Sequence, residues 1–157
     1  MSNPAPSTRA TTARRTPSIT LPYRVPYADT DQMGVVYYAN YLVYFERVRN
    51  EVLRACGVTY KQIEAAGILL PVIEAHCEYA QPAAYDDALE IAGWFEFIRP
   101  LRIKAHCEVR REGVLLAGGH TVHVVISART RKPTRLPPAI LDRIFVERHT
   151  SESVPTA

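Results

Sequence analysis

An apolar helical segment in the first third of the chain limits the folds that this sequence can adopt. From about Tyr38 to Cys56, apolar residues recur at intervals of three and four, the spacing of one helix face. Leu42, Phe45 and Val52 define that face, and further apolar side chains extend it around much of the circumference. A helix of this kind requires other structure on several sides. The rest of the chain must therefore supply a layer that covers it.

Strand patterns before and after the helix can supply that layer. Residues 19–28 alternate as a first strand, but Pro22 and Pro26 cannot donate to a ladder, so this strand is expected at an edge or irregular. The third pattern after the helix is the most regular, alternating from Leu101 to Arg110. The last is apolar on both faces at its centre, which is typical of a strand in mid-sheet or at a subunit contact. The four patterns after the helix cover residues 72–79, 89–97, 101–110 and 114–127.

Capping and turn signals mark the ends of the helices. Asn40 is a candidate cap of the long helix, with a start one turn earlier as the alternative, and Gly57 ends it. Thr59 caps a short second helix that stops at Gly67, and residues 139–148 form a final short helix. Because short turns join most strands, the sheet is mainly antiparallel. The sequence therefore predicts an α+β domain in which one curved five-stranded sheet wraps a long helix.

The length of 157 residues fits one domain with a tail at each end. Residues 1–18 are rich in Ser, Thr, Pro, Ala and Arg and are predicted to be a disordered tail. A transit peptide is the alternative, although Pro4, Pro6 and Pro17 interrupt any amphipathic helix there. Residues 19–148 are predicted to form the single domain, and residues 149–157 a C-terminal tail.

Charge, hydropathy and cysteine content exclude several classes of protein. The formal net charge is +3 and no concentrated basic face is evident, so nucleic-acid binding is not expected. No apolar run reaches the length of a membrane span. The three cysteines lie on apolar faces without a CxxC pair, which indicates reduced core residues in a reducing compartment. A cytoplasmic protein is therefore predicted.

Two carboxylates stand beside a turn just before the long helix. Asp29 and Asp31 precede Gly34, whose lack of a side chain permits close backbone approach. A pair of loop carboxylates is most often a turn former or a cap, and the nearby residues supply no further oxygen cluster for calcium. An acid held against the positive start of a helix can instead prepare a nucleophile, while free backbone amides stabilise the oxyanion that develops on a carbonyl.

The residues around this pair resemble the signature of an enzyme family. They read Asp29-Thr30-Asp31, then Gly34-Val35-Val36-Tyr37-Tyr38, then Asn40-Tyr41 and Phe45-Glu46-Arg47. This combination of residue types, spacing and context is similar to the hotdog-fold acyl-CoA thioesterases of the 4-hydroxybenzoyl-CoA thioesterase and YbgC-like group. A weaker resemblance extends over roughly residues 20–137. The resemblance implies the hotdog fold and hydrolysis of an acyl-CoA thioester to free acid and CoA.

The resemblance also implies roles for individual residues. It implies that Asp31 is the catalytic acid, acting as general base toward water or as a nucleophile that forms a mixed anhydride, and that Asp29 is structural. It implies that the backbone N–H of Tyr38 polarises the thioester carbonyl. A different hotdog branch uses a helix glutamate, but Glu46 lies about 12 Å along the axis from Tyr38 by helical rise. Substrate-binding residues are expected at Gly34, Asn40, Tyr41, Arg99, Arg129 and Lys132.

The expected partners are the acyl-CoA substrate and further copies of the chain. No metal or redox cofactor is expected, because coenzyme A is part of the substrate and the histidine spacing shows no convergent zinc set. Arg99 and the basic residues from Arg129 to Arg135 are candidates for binding the phosphates of CoA. The resemblance implies a homodimer or homotetramer with active sites at the dimer interface. Two alternatives stay open, namely hydrolysis of an acyl carrier protein thioester and a catalytically silent acyl-CoA binding module.

Overall fold

The computed structural model of the protein describes residues 17–144, so most of the predicted N-terminal tail and all of the predicted C-terminal tail lie outside the described residues. The strands are β1 (Ile19–Arg24), β2 (Ile68–Leu69), β3 (Val72–Tyr79), β4 (Ala88–Ile98), β5 (Arg102–Arg111), β6 (Val114–Val124) and β7 (Ile126–Ser127). The helices are α1 (Asn40–Ala55), α2 (Tyr60–Ala65) and α3 (Pro138–Ile144), with a 3-10 turn at Tyr27–Asp29 before α1. Within the described part, no helix is long and apolar enough to cross a membrane.

Five of the strands form one antiparallel sheet in the order β1-β4-β5-β6-β3. Strands β2 and β7 pair separately as a short antiparallel ladder. Helix α1 lies on one face of the large sheet and packs mainly against β4, with further contacts to β1 and β5. The α+β architecture with a five-stranded antiparallel sheet and a long helix is therefore confirmed. Strand β1 is an edge strand, as its two prolines predict.

The core lies between α1 and the sheet. Phe45 and Val48 of α1 are fully buried against residues of β4 and β5, and Val52 continues the same face into a second apolar cluster. Gly93 of β4 permits this approach, because a Cβ there would lie 2.7 Å from a methyl carbon of Val48. The cysteines contribute to these clusters as predicted, and burial raises the pKa of the Cys107 thiol to about 12, so it stays protonated.

The start of α1 corrects one prediction. Asn40 does not cap the helix; it is the first helical residue, and Ala39 precedes it without a side-chain capping bond. The side chain of Asn40 instead donates a hydrogen bond to the backbone carbonyl of Asp29, at 2.9 Å. Strand β1 also ends earlier than predicted, at Arg24, because the chain after Pro26 tightens into the 3-10 turn.

Irregularities in the central strands explain where the predicted alternation fails. The apolar phase of β4 holds from Leu89 to Phe95, but a register shift between Phe95 and Phe97 makes Ile98 the next buried residue. Strand β6 lies between β5 and β3, which confirms the mid-sheet placement predicted from its apolar centre. A second register shift in β6 buries both Leu116 and its neighbour.

The shorter elements agree with the signals at their ends. Thr59 caps α2 through a capping box with Gln62, and Gly57 takes a φ of +84° just after α1. Helix α3 begins at Pro138, and the last four residues of the predicted 139–148 helix lie outside the described range. The β2–β7 ladder was not predicted, because two residues in each strand are too few to show a period.

Three histidines form one row on the face of the sheet opposite α1. His76, His120 and His106 are paired directly across β3, β6 and β5, with ring centroids 5.3 and 5.6 Å apart. His120 hydrogen bonds the carboxylate of Glu74 at 2.6 Å, and His106 pairs with Glu96. Spacing along the chain does not reveal this row, because each histidine comes from a different strand. Among residues 17–144, no three His, Cys, Asp or Glu side chains are grouped so that they could hold a metal ion.

Adjacent glycines of β6 offer a matched test of the sheet. We expect Gly119→Ala to lower the free energy of unfolding by at least about 2 kcal/mol, because a Cβ there would lie 1.9 Å from the backbone oxygen of His76 in β3. Gly118→Ala should change it by less than about 1 kcal/mol, since its nearest neighbour would be 3.6 Å away. Urea unfolding followed by circular dichroism measures both. Equal midpoints for the two variants would contradict this packing.

Candidate active site

Asp29 ties the loop before α1 to the sheet and to the helix. One of its carboxylate oxygens accepts hydrogen bonds from the hydroxyls of Tyr23 in β1 and Tyr44 in α1, each at 2.6 Å. Its backbone carbonyl accepts from the amide of Tyr37 and from the side chain of Asn40, each at 2.9 Å. The carboxylate of Asp29 therefore fixes the loop to β1 and α1, and its backbone carbonyl fixes the residues at the start of the helix. This is the structural role that the resemblance implies for Asp29.

The two tyrosines that bind Asp29 act as hydrogen-bond donors. Burial, and then the hydrogen bond to Asp29 and its charge, raise the pKa of both the Tyr23 and Tyr44 hydroxyls. Tyr44 is 1% exposed, so its hydroxyl has no access to bulk water as an alternative acceptor. The carboxylate of Asp29 is therefore an essential partner for a buried donor.

Asp31 begins a tight turn that leaves part of its carboxylate free. The amide of Asp31 donates to the carbonyl of Val35 at 2.9 Å, and the amide of Gly34 donates to the carbonyl of Asp31 at 3.0 Å. Gly34 takes a φ of +76°, a conformation that glycine adopts without steric cost. Oδ1 of Asp31 accepts from the amide of Met33 at 2.8 Å. No donor among residues 17–144 is bonded to Oδ2, which leaves that oxygen available to a ligand.

A second loop supports the turn from the other side. The amide of Val36 donates to the carbonyl of Ala83 at 2.8 Å. The next residue of that loop, Ala84, donates its amide to the carboxylate of Asp87 at 2.8 Å, and Asp87 also binds Arg111 at 2.5 Å. The Ala84 amide and the Arg111 guanidinium lower the pKa of the Asp87 carboxyl, which keeps it ionised as an acceptor.

A cleft of about 290 Å³ lies between the turn, the start of α1 and the end of β3. It brings Asp31 and Tyr38 into one cavity, together with two further tyrosines, Tyr41 and Tyr79. The whole lining consists of Asp31, Met33, Val35, Val36, Tyr38, Tyr41, Tyr79, Ala80, Gln81 and Pro82. The cavity is therefore mostly apolar and aromatic, with one carboxylate.

Tyr38 lines this cleft, and its backbone amide has no acceptor among the described residues. The carbonyl of Tyr37, in the same peptide plane, accepts from the amide of Asn40 at 2.9 Å. Because a trans peptide is planar, that bond directs the N–H of Tyr38 the opposite way. None of the described residues accepts a hydrogen bond from it. The N–H also benefits from the positive end of α1, which begins at Asn40.

Comparison with known proteins identifies a family for the chain. A sequence model of the thioesterase-like superfamily matches residues 25–144. The acyl-CoA thioester hydrolase YbgC of Escherichia coli is 34% identical over 121 residues, which are 76% of this chain and 90% of that protein. A hypothetical protein from Thermus thermophilus has a TM-score of 0.75 at 33% identity, covering 80% of this chain and 95% of that one. The DHNA-CoA thioesterase of Staphylococcus aureus has a TM-score of 0.72 at 32% identity, covering 82% and 83%.

The chain belongs to the thioesterase-like superfamily. The family predicted from the signature is confirmed, as is the hotdog fold, in which the five-stranded sheet packs around α1. The predicted enzyme class, a thioesterase, is confirmed with it.

Three of the predicted substrate residues of this thioesterase, Gly34, Asn40 and Tyr41, lie close to the cleft in sequence but differ in whether they line it. Tyr41 lines the cleft. Gly34 shapes the turn, and Asn40 binds the loop carbonyl of Asp29, so neither of them lines the cleft. A substrate contact by Gly34 or Asn40 stays a prediction. Glu46, the alternative acid, is exposed on α1 and does not line the cleft either.

The predicted phosphate-binding residues lie at the opposite end of the sheet. Arg99 follows the last residue of β4, and its guanidinium carbon is 4.4 Å from the ring centroid of Phe97. Arg129 and Lys132 follow β7, whereas the cleft lies at the far end, beside Tyr79 of β3. Within one protomer of the thioesterase, these cations and Asp31 are therefore not brought together.

The sequence did not point to Tyr79 as a cleft residue. It reads as the last apolar position of a strand pattern, and nothing in that period indicates which loop it meets. In the structure its ring stands edge-on to Tyr41 at 5.3 Å, and its hydroxyl reaches the carbonyl of Tyr38. Contacts of this kind depend on tertiary packing between segments about 40 residues apart.

The hydrogen bonds of Asp29 predict that replacing this acid destabilises the thioesterase more than replacing an exposed acid does. Asp29→Asn should lower the free energy of unfolding by about 1–3 kcal/mol, because a neutral amide replaces an ionised acceptor of two hydroxyls. Asp142→Asn, on the exposed face of α3, should change it by less than about 0.5 kcal/mol. Urea unfolding of both variants at neutral pH is the measurement. Similar small losses for both would mean that the Asp29 hydrogen bonds contribute little.

Proposed function

We propose that the protein hydrolyses an acyl-CoA thioester to a free acid and CoA, with Asp31 as the catalytic acid and the Tyr38 N–H as the oxyanion donor. The observation that carries this proposal is that Asp31 and Tyr38 line one cleft. The carboxylate offers an oxygen that no described residue occupies, and the amide is a donor that no described acceptor uses. An acid and an oxyanion donor on one cavity are the parts that thioester hydrolysis requires.

The chemistry assigns one task to each group. The Tyr38 N–H, aided by the helix start, binds the carbonyl oxygen as negative charge develops on it, which can contribute about 3 kcal/mol in the transition state. In one route, Asp31 takes a proton from a water that attacks the carbonyl carbon. In the other, Asp31 attacks that carbon itself, and water then hydrolyses the mixed anhydride. In both routes the CoA thiolate leaves and takes up a proton.

The relatives support a CoA thioester as substrate. The similar protein of Escherichia coli is named an acyl-CoA thioester hydrolase, and that of Staphylococcus aureus a DHNA-CoA thioesterase. The cleft does not choose between an aryl and an alkyl acyl group, since tyrosine rings and aliphatic side chains pack well against either. No step of the proposed reaction uses a metal or a redox cofactor.

We further propose that two chains associate through β3. This strand is an edge of the sheet and carries no proline between Val72 and Tyr79 to block pairing. Its side chains Val72 and Ile73 are each 51% exposed, and Tyr79 is 48% exposed. An unpaired, proline-free edge of eight residues is a template for antiparallel pairing with a second copy. The product is a ten-stranded sheet across a twofold axis.

This association would bring the cations at the far end of one sheet to the cleft of the other chain. In antiparallel pairing of two β3 strands, the partner's Val72 lies near Tyr79 of the first chain. The end of the partner's sheet that carries Arg99, Arg129 and Lys132 then lies on the same side as Asp31. Arginine and lysine at that position suit the phosphates of CoA. The proposed dimer thus completes a site that one protomer holds only in part.

Replacing the proposed catalytic acid tests the function. Asp31→Asn should lower kcat by about 10²- to 10⁴-fold, because an amide neither accepts a proton nor attacks a carbonyl. Thiol release from short-chain, long-chain and aryl CoA thioesters measures turnover, with Asp142→Asn as the control that retains wild-type activity. Unchanged turnover in folded Asp31→Asn would reject the mechanism. If the wild type binds acyl-CoA without hydrolysing it, the protein is a catalytically silent binding module. If it hydrolyses an acyl carrier protein thioester faster than the CoA thioester of the same acyl group, the carrier-protein thioester is its substrate.

The dimer has its own test. Ile73→Lys should weaken association by at least about tenfold, because it replaces an exposed apolar side chain with a charge on each of the two strands that pair. Val114→Lys is the matched control, since this residue is similarly exposed, at 46%, but lies on the β5–β6 hairpin. Sedimentation velocity over a range of protein concentrations reports the dissociation constants. Pairing through β3 would be contradicted if both substitutions weakened association equally, or if the wild type were a monomer.

A further inference from the structure

The hydroxyl of Tyr79 makes a contact that the reaction described above does not use. It donates a hydrogen bond to the backbone carbonyl of Tyr38, at 2.9 Å, from the last residue of β3. The ring is fixed by two edge-on contacts, with the Tyr38 ring at 6.5 Å and the Tyr41 ring at 5.3 Å between centroids. Desolvation, followed by the neighbouring Cys77, raises the pKa of Tyr79 to about 12, so its hydroxyl remains a donor at neutral pH.

This hydrogen bond completes the restraint of the backbone at Tyr38. The peptide before the Tyr38 Cα is held through the carbonyl of Tyr37, which accepts from the amide of Asn40 at 2.9 Å. The peptide after that Cα is held through the carbonyl of Tyr38, which accepts from Tyr79. With both flanking peptide planes restrained, rotation about the Tyr38 backbone bonds is restricted. Its N–H, which has no acceptor among residues 17–144, is thereby kept in one direction.

The backbone at Tyr38 has few other restraints on the side of β3. Tyr38 lies two residues before the first residue of α1 and has no strand partner, and the residue is 62% exposed. The hydroxyl of Tyr79 therefore connects the edge of the sheet to the first residues before the helix. A donor that must meet a developing oxyanion gains most from being held before the reaction, because reorientation at that moment costs free energy.

We propose that Tyr79 is a positioning residue, which holds the backbone of Tyr38 so that its N–H meets the carbonyl oxygen of the substrate. The inference rests on the proposed function, because it assigns Tyr79 a role in the same site. Tyr79 acts through the Tyr38 peptide, and the part that matters is its hydroxyl. The ring alone fills the cleft wall whether or not the hydroxyl is present.

Tyr79→Phe removes only the hydroxyl. We expect kcat to fall by about tenfold with KM changed by less than about twofold, because the missing restraint affects the oxyanion donor more than ground-state binding. Tyr85→Phe is the control, since Tyr85 is 58% exposed, stands edge-on to Tyr27 and does not line the cleft. It should retain wild-type kcat and KM.

Hydrogen exchange supplies a second readout that does not depend on turnover. The amides of a peptide covering residues 37–42 should exchange faster in Tyr79→Phe than in the wild type, and at the wild-type rate in Tyr85→Phe. The three proteins are compared at equal global stability and in the same oligomeric state. Unchanged kcat and unchanged exchange in Tyr79→Phe, with Asp31→Asn inactive, would overturn the role of Tyr79 and leave the proposed function intact. A wild type that hydrolyses no thioester would instead reject the proposed function. A loss that appears only in KM would make Tyr79 a binding residue and reject the positioning role.

Discussion

The carboxylate of Asp29 is the interaction on which the rest of this site depends. Through two hydroxyl donors it joins β1 to α1, and through its backbone carbonyl it holds the loop between them. The loop itself has little regular structure, with one short 3-10 turn and isolated bridges to its neighbours. The relative positions of Asp31 and Tyr38 therefore follow from how Asp29 is bound. A buried tyrosine donor makes this anchor costly to lose, since an unsatisfied hydroxyl would remain in the core.

The fold places this anchored loop at one end of the sheet and the free cations at the other. Close packing of α1 on β4, permitted by Gly93, sets where the helix begins. The helix start, the turn at Asp31 and the end of β3 then meet at the cleft. Arg99 and the cations after β7 lie beyond reach within the same protomer. The proposed pairing of two chains through the exposed edge of β3 would bring the cations of one chain to the end of the sheet where the cleft of the other lies, where they would suit the phosphates of CoA.

Local periodicity and turn chemistry account for the features that the sequence predicts well. The 3.6-residue period identifies α1, the two-residue period identifies β5, and Thr59 marks the start of α2. The features that sequence reasoning missed depend on which strand lies beside which. The register shift in β4, the row of His76, His106 and His120, and the reach of Tyr79 to Tyr38 all arise between distant segments. Asn40 shows the same limit, because its residue type suits a cap and its side chain binds a loop carbonyl instead.

The two acids of the Asp29-Thr30-Asp31 segment show how environment separates the roles of identical side chains. One oxygen of Asp29 is occupied by two hydroxyl donors, of which one belongs to a buried tyrosine, so this carboxylate faces β1 and α1. Asp31 accepts one backbone amide at one oxygen, has no described donor at the other, and lines the cleft. The proposed base or nucleophile must lie at the cleft, and of the two acids only Asp31 belongs to its lining. The spacing of two residues thus separates an acid that anchors the loop from the acid that we propose reacts at the cleft.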